Sequence, residues 1–233
     1  MITAAAVVAF RLWPWPVPIP SQAQVLQPAA ALVILLLGTI GVTLSSRVGL
    51  PSAPDIRHAR RWGELLVTTV GAGLIFGAAL FGLDAAAHLT EGALNALAVR
   101  WVNVPLPASI PHYTAAAVLV ECLYRLFPIP VLGWLIGRVL LKGRGMGGVF
   151  WVLAVLTSLL EPAIQFALAR PGALAAIAGL ITLTFAANLF EAYELRRHGW
   201  PAPILFRLAF YAVWHCFGPY ALSPASVLYP GPH

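Results

Sequence analysis

The sequence predicts an all-α fold, a polytopic membrane helix bundle with about six transmembrane helices, and two observations support this. The first is composition, because the 233 residues are 60% hydrophobic and 9% charged, with a mean hydropathy of +0.85. Soluble domains carry roughly 25% charged residues, so this chain lacks the polar side chains that a water-facing surface requires. The second is the recurrence of apolar runs of about 20 residues, the length that crosses a bilayer as a helix.

Six apolar runs are long enough to be transmembrane helices. We place the predicted spans at residues 29–46, 64–83, 113–141, 148–168, 173–195 and 201–222. The third run is longer than a bilayer requires. Its two prolines, Pro128 and Pro130, predict a kink or a break, because proline removes a backbone donor and clashes with the preceding turn.

The segments outside these spans are short. Residues 1–28 predict an N-terminal interfacial arm, because Trp13 and Trp15 alternate with prolines and indole rings prefer the membrane–water interface. Residues 29–222 form the predicted transmembrane helical domain. Residues 223–233 form a short C-terminal tail, so no separate water-soluble domain is expected.

The basic residues predict the orientation of the chain. Nine of the 14 Lys and Arg residues lie on one side, in the loops after the first and fifth spans and at the end of the third span and its loop, and three lie on the other. Cytoplasmic loops are enriched in Lys and Arg, so both termini are expected outside the cytoplasm, in a cytoplasmic-type (inner) membrane. The positive charge lies in short loops between apolar runs, so nucleic acid is not an expected partner. The expected partners are the lipid bilayer and other integral membrane subunits.

Eight polar or ionisable side chains within the predicted spans form a candidate set. They are Glu121, Arg125, Glu161, Gln165, Glu191, Arg207, Tyr211 and His215. On three of the spans they recur four residues apart, which places them on one helical face. Such residues usually face the bundle interior and mark function. Glu191 lies near a predicted helix end and is expected to be open to hydration.

Two interpretations of this polar set are open on chemistry alone. In one, carboxylates and an imidazole from several helices converge on a metal ion or activate water. In the other, the acids and the arginines neutralise each other and hold the helices together, because an unpaired buried charge costs several kcal/mol.

Four fragments occur in an order and spacing that resemble a known family. They are SSRVGLPSAP, VECLYRLFPIP, FWVLAVLTSLLEPAIQ and ANLFEAYELRRHGWPAPILFRLAFYAVWH. Over about residues 29–218 they resemble the CPBP (Abi, CAAX-protease-like) intramembrane metalloproteases. The second fragment is similar to that family's EExxxR signature, the third to a helix that ends in FxxxH, and the fourth to a helix pair that bears HxxxN or HxxxD. The resemblance implies a CPBP-like core for the bundle.

The resemblance also implies that the catalytic and metal-binding positions are degenerate. In the family, the first Glu of EExxxR acts on water, and two histidines with the Asn or Asp hold zinc. The residues at these positions here are Val120, Gln165, Arg207 and Tyr211. Valine cannot accept a proton, glutamine is a poor zinc ligand, and arginine stays protonated and has no lone pair to donate. The second Glu and the Arg of the signature are retained as Glu121 and Arg125.

These substitutions predict a non-catalytic protein, a pseudoprotease that acts as scaffold, accessory subunit or assembly factor of a membrane protein complex. No cofactor is expected. Arg207 is expected to supply the positive charge of the missing dication and to pair with Glu161 or Glu121 across helices. The predicted intramembrane ion-pair network is therefore Glu121, Arg125, Glu161 and Arg207.

Two alternative functions stay open. Glu121, Glu161 and His215 could form a substituted site of two carboxylates and one histidine, which zinc would accept, and the chain would then be an intramembrane metalloprotease. The chain could instead be a pigment- or haem-associated membrane subunit that uses His88, His112 or His215, since imidazole on a membrane helix can bind either group.

Overall fold

The computed structural model describes residues 28–53, 59–87, 106, 109–166 and 174–218, and every regular element within them is a helix. Four of these helices are long and apolar enough to cross a membrane. They are Pro28–Val48, Ala59–Ala86, Ser109–Leu140 and Met146–Ile164. The prediction of an all-helical chain with membrane-spanning helices is therefore confirmed. The C-terminal tail and all of the N-terminal arm except Pro28 lie outside the described residues.

The described ranges contain six helices, several of which are built from consecutive α- and π-helical pieces. They are α1 (Pro28–Ser45, extended by the 3-10 turn Ser46–Val48), α2 (Ala59–Leu65, Leu66–Val70 and Gly71–Ala87), α3 (Ser109–Glu121, Cys122–Leu126, Pro128–Leu132 and Gly133–Leu140), α4 (Met146–Phe166), α5 (Leu174–His198) and α6 (Pro201–Tyr211 and Ala212–Phe217).

Helix α3 changes its winding just before Pro128. Because Pro128 has no N–H and its ring clashes with the preceding turn, the α-helix gives way to the π-helical segment Cys122–Leu126. The N–H of Phe127 donates to the carbonyl of Cys122, at 3.2 Å, and the α-helix resumes at Pro128. The π-helical segment thus begins directly after Glu121 and contains Arg125, and π-segments of this kind are frequent at functional sites.

A tight turn makes α5 and α6 neighbours. Gly199 has a φ of 84°, which a glycine adopts at no steric cost. Its N–H donates to the Leu195 carbonyl at 3.0 Å, and Pro201 then begins α6 in the position where a missing N–H is harmless. A Cβ on Gly199 would overlap the Pro51 carbonyl, so this turn also lies against the segment that follows α1.

Helix α6 occupies the interior of the bundle, where it packs on α2, α3 and α5. Small residues allow the close approach, as is common between membrane helices. A Cβ on Gly73 of α2 would overlap the Phe206 carbonyl, and one on Gly77 would crowd Phe210. Most large exposed apolar side chains lie on α1, α2, α3 and α4. The buried acids and arginines of α3, α4, α5 and α6 instead contact each other in the interior.

Candidate functional site

Four helices bring six polar side chains together in the interior, and we call this group the ion-pair cluster. Its members are Glu121 and Arg125 of α3, Glu161 of α4, Asn188 and Glu191 of α5, and Arg207 of α6. Each of these residues is at most 3% exposed. Charged residues are almost never so fully buried unless they are paired.

The Arg207 guanidinium lies at the centre of the cluster and bonds to all three acids. Its Nε donates to Glu121 Oε1 at 2.6 Å. Its Nη1 and Nη2 bind the two oxygens of Glu161 at 2.8 and 3.0 Å, which is the bidentate arrangement of a guanidinium and a carboxylate. Nη2 also donates to Glu191 Oε2 at 2.7 Å. The side chain expected to pair with Glu161 or Glu121 therefore contacts both, on two different helices.

Arg125 forms a second cationic centre beside the first. Its Nη1 donates to Glu121 Oε1 at 2.9 Å, one helical turn away on α3. Its Nη2 lies 2.7 Å from Glu191 Oε2 and 3.7 Å from Glu161 Oε2. Glu121 and Glu191 are thus each shared between Arg125 and Arg207. The shared oxygens link α3, α5 and α6 through one network, which Glu161 extends to α4.

Asn188 completes the network, although it is not among the site residues predicted from the sequence. Its Oδ1 accepts from Arg207 Nη2 at 2.9 Å, and its Nδ2 donates to the Ser158 carbonyl of α4 at 3.2 Å. Its backbone carbonyl accepts from Arg125 Nε at 3.2 Å. Its position three residues before Glu191 puts both on one face of α5, and this spacing is the signal that could have identified it.

Glu191 is not open to water, contrary to the expectation from its position in the sequence. The residue is 1% exposed, and its Oε2 contacts both guanidiniums. The reason is that α5 continues to His198, so Glu191 lies about 10 Å inside the helix end at a rise of 1.5 Å per residue.

The other predicted site residues contribute less to the cluster. The hydroxyl of Tyr211 lies 3.4 Å from Arg207 Nη1, and its ring centroid lies 5.6 Å from the guanidinium carbon. Val120 is partly buried on α3. Gln165 is on the last turn of α4, and its side chain lies outside the described atoms.

The candidate ligand histidines lie among aromatic rings. His215 stacks on Tyr113 with centroids 4.4 Å apart and meets Tyr211 edge-on at 4.9 Å. His112 is buried and contacts Tyr113 edge-on at 4.8 Å. His88 is outside the described residues. Among the residues that the structure describes, no group of three or more His, Cys, Asp or Glu side chains is arranged to hold a metal ion.

A second polar contact extends from the cluster along α5. Glu194 is 1% exposed, and its Oε2 accepts from the Thr69 hydroxyl of α2 at 2.7 Å. The Nε2 atom of His198, one turn further, lies 3.8 Å from the same oxygen. This contact was not predicted from the sequence, because a threonine within an apolar run gives no sign of which helix it will contact.

No protein-family model, curated protein or solved structure matches the chain. The functional interpretation therefore depends on the chemistry of the cluster itself. Two guanidiniums and three carboxylates that pair with each other can hold four helices in register, and the fixed positive charges of the two arginines oppose the binding of a metal ion among them.

Proposed function

We propose that this chain is a non-catalytic, CPBP-like integral membrane protein that acts as scaffold, accessory subunit or assembly factor of a membrane protein complex. The observation that carries the proposal is the Arg207 guanidinium, which bonds to Glu121, Glu161 and Glu191 at 2.6–3.0 Å. The resemblance to the CPBP proteases puts a metal-binding histidine at this position, and a fixed cation there opposes metal binding.

The obstacle to metal binding in the cluster is electrostatic. A dication near the three acids would face two guanidiniums, Arg125 and Arg207, which stay protonated at any ordinary pH. Glu121 and Glu161, the acids of the alternative zinc site, already accept hydrogen bonds from these arginines. Val120, at the position of the family's water-activating acid, can supply no general base. A protein with this interior retains a stable helical frame but has no group in the cluster suited to hydrolysis, which favours a function in binding.

The membrane topology that accompanies this proposal has six spans, with α5 and α6 as the fifth and sixth. Helix α5 carries the two buried acids Glu191 and Glu194, so its apolar character is lower than that of α1 to α4. The packing of α4 and α6 against α5 keeps those acids away from lipid. The distribution of basic residues, nine against three, supports an inner-membrane protein with both termini outside the cytoplasm.

The experiment that tests the proposal is native purification of the full chain in a mild detergent, followed by three measurements. We expect no stoichiometric zinc by elemental analysis, no cleavage of membrane-embedded peptide substrates, and a native complex in which mass spectrometry finds other integral membrane subunits at constant ratio. Bound zinc together with cleavage that a chelator or Glu161→Ala abolishes would instead establish the metalloprotease alternative. Visible absorbance of the purified chain would establish the pigment or haem alternative, and a chain that purifies alone would contradict the role as a subunit.

A further inference from the structure

The charges of the ion-pair cluster do not balance. It contains three carboxylates, Glu121, Glu161 and Glu191, and two guanidiniums, Arg125 and Arg207, so full ionisation would leave the cluster with one uncompensated negative charge. Burying an uncompensated charge is far more costly than burying a neutral acid. One oxygen of the group, Glu121 Oε2, is buried and has no hydrogen-bond partner among the described residues. Both features indicate that one of the three acids carries a proton.

The cluster is also connected to one end of the bundle. Asn188, Glu191, Glu194 and His198 recur at intervals of three and four residues, which places them on one face of α5. This α5 stripe runs about 15 Å from the cluster to the end of the helix. Asn188, Glu191 and Glu194 are each 1% exposed. The stripe therefore forms a polar path through an otherwise apolar interior.

Unpartnered polar atoms lie along the outer part of this stripe. Glu194 Oε1 and His198 Nε2 are both buried and have no hydrogen-bond partner in the described ranges. The imidazole is 11% exposed, and it adjoins the exposed ion pair of Arg197 with Glu64, whose side chains are 43% and 50% exposed. The stripe thus begins at the protein surface and ends at the charge-unbalanced cluster.

We propose that the ion-pair cluster binds one exchangeable proton, and that the α5 stripe exchanges it with the aqueous phase at the His198 end. A proton from water enters at the imidazole of His198, passes to the Glu194 carboxylate and then to Glu191 of the cluster. The first transfer breaks an O–H bond of hydronium and forms an N–H bond on the imidazole, the second breaks this N–H bond and forms an O–H bond on Glu194, and the third breaks that O–H bond and forms one on Glu191, with no exchange of electrons. Loading takes the formal charge of the cluster from −1 to 0.

The proton is surrounded by a defined set of charged and titratable groups. These are Glu121, Tyr124 and Arg125 of α3, Glu161 of α4, Arg207 and Tyr211 of α6, and, around the outer stripe, Glu64 of α2 and Arg197 of α5. The three acids share the same two guanidiniums, so the proton is assigned to the cluster and not to a single residue. This inference is independent of the proposed function, since a charge imbalance of this kind is compatible with any partner.

The test is infrared difference spectroscopy of the full chain in phosphatidylcholine vesicles. The wild-type protein is expected to show the C=O stretch of one protonated carboxylic acid at neutral pH. Glu191→Gln leaves two acids for two arginines and is expected to abolish this band. Glu64→Gln removes an exposed acid and is expected to leave the band unchanged. If Glu191→Gln cannot be purified, Glu121→Gln makes the same change in charge.

The exchange route is tested by the rate at which this band shifts after transfer to ²H₂O. Glu194→Gln and His198→Phe are expected to keep the band but slow its shift at least about tenfold, which corresponds to about 1.4 kcal/mol in the barrier. Tyr193→Phe, on the exposed face of the same helix, is the matched control. The proposal would be overturned by a wild-type protein without the band, by a band that survives Glu191→Gln, or by unchanged exchange in both stripe variants. It would also be overturned if the band disappeared when Na⁺ replaced choline as the buffer cation, because the cluster would then bind a metal ion in place of the proton.

Discussion

Replacement of Arg207 by methionine tests the central feature of the structure. The substitution keeps an unbranched side chain of similar length but removes the bonds of the guanidinium to Glu121, Glu161 and Glu191. Arg125 would remain as the single cation for three buried carboxylates. Breaking a buried ion pair by removing one partner costs about 3–5 kcal/mol. We therefore expect Arg207→Met to lower the free energy of unfolding by at least about 3 kcal/mol, a change of roughly a hundredfold or more in the folded-to-unfolded ratio.

The assay is reversible unfolding of the purified chain in mixed detergent micelles, with SDS as denaturant and helical circular dichroism as the signal. Arg197→Met is the matched control, because its ion pair with Glu64 lies at the surface, where pairs contribute little. The double variant Arg207→Met with Glu161→Gln should recover part of the loss, since neighbouring sites couple by about 0.5–3 kcal/mol. An Arg207→Met protein within about 1 kcal/mol of wild type would refute the reasoning, because a buried pair cannot be broken so cheaply.

Three further predictions use the same unfolding assay. Gly41→Ala should lower the free energy of unfolding by about 1–3 kcal/mol, because a Cβ there would overlap the Leu126 carbonyl of α3. Gly38→Ala is the control, because its Cβ would meet only the Cys122 sulfur at 3.4 Å. Equal unfolding midpoints for the two variants would contradict this prediction. Asn188→Ala should cost about 1–3 kcal/mol, since it leaves buried donors and acceptors unpaired, and the exposed Thr182→Ala should cost much less. Glu191→Gln should destabilise less than Glu191→Ala, because an amide oxygen can still accept the hydrogen bond from Arg207 Nη2; an equal loss would show that this hydrogen bond contributes nothing.

Much of the fold was predictable because hydropathy and helical period are local properties of a chain. A low charge content and apolar runs of about 20 residues are enough to predict membrane-spanning helices. The interruption at Phe127 follows from Pro128, whose missing N–H affects only its own turn. The spacing of Glu121 with Arg125, and of Arg207 with Tyr211, likewise predicts a shared helical face before any neighbouring helix is known.

The candidate site was less predictable, because its composition depends on which helices meet. Asn188 has no charge to mark it, yet it contacts Arg125, Arg207 and the backbone of α4. The contact between Thr69 and Glu194 joins residues 125 positions apart. Glu191 was expected to meet water, because its position gives no measure of how far α5 extends beyond it.

From its order of residues alone, this chain predicts helices long and apolar enough to cross a membrane, with acids and arginines spaced about one helical turn apart within them. Each of those properties arises within one or two helical turns. The packing of α3, α4, α5 and α6 then selects which charges neutralise each other, and it leaves three carboxylates to share two guanidiniums. That imbalance is a property of the assembled interior, because the energy of a buried charge depends on every group that surrounds it.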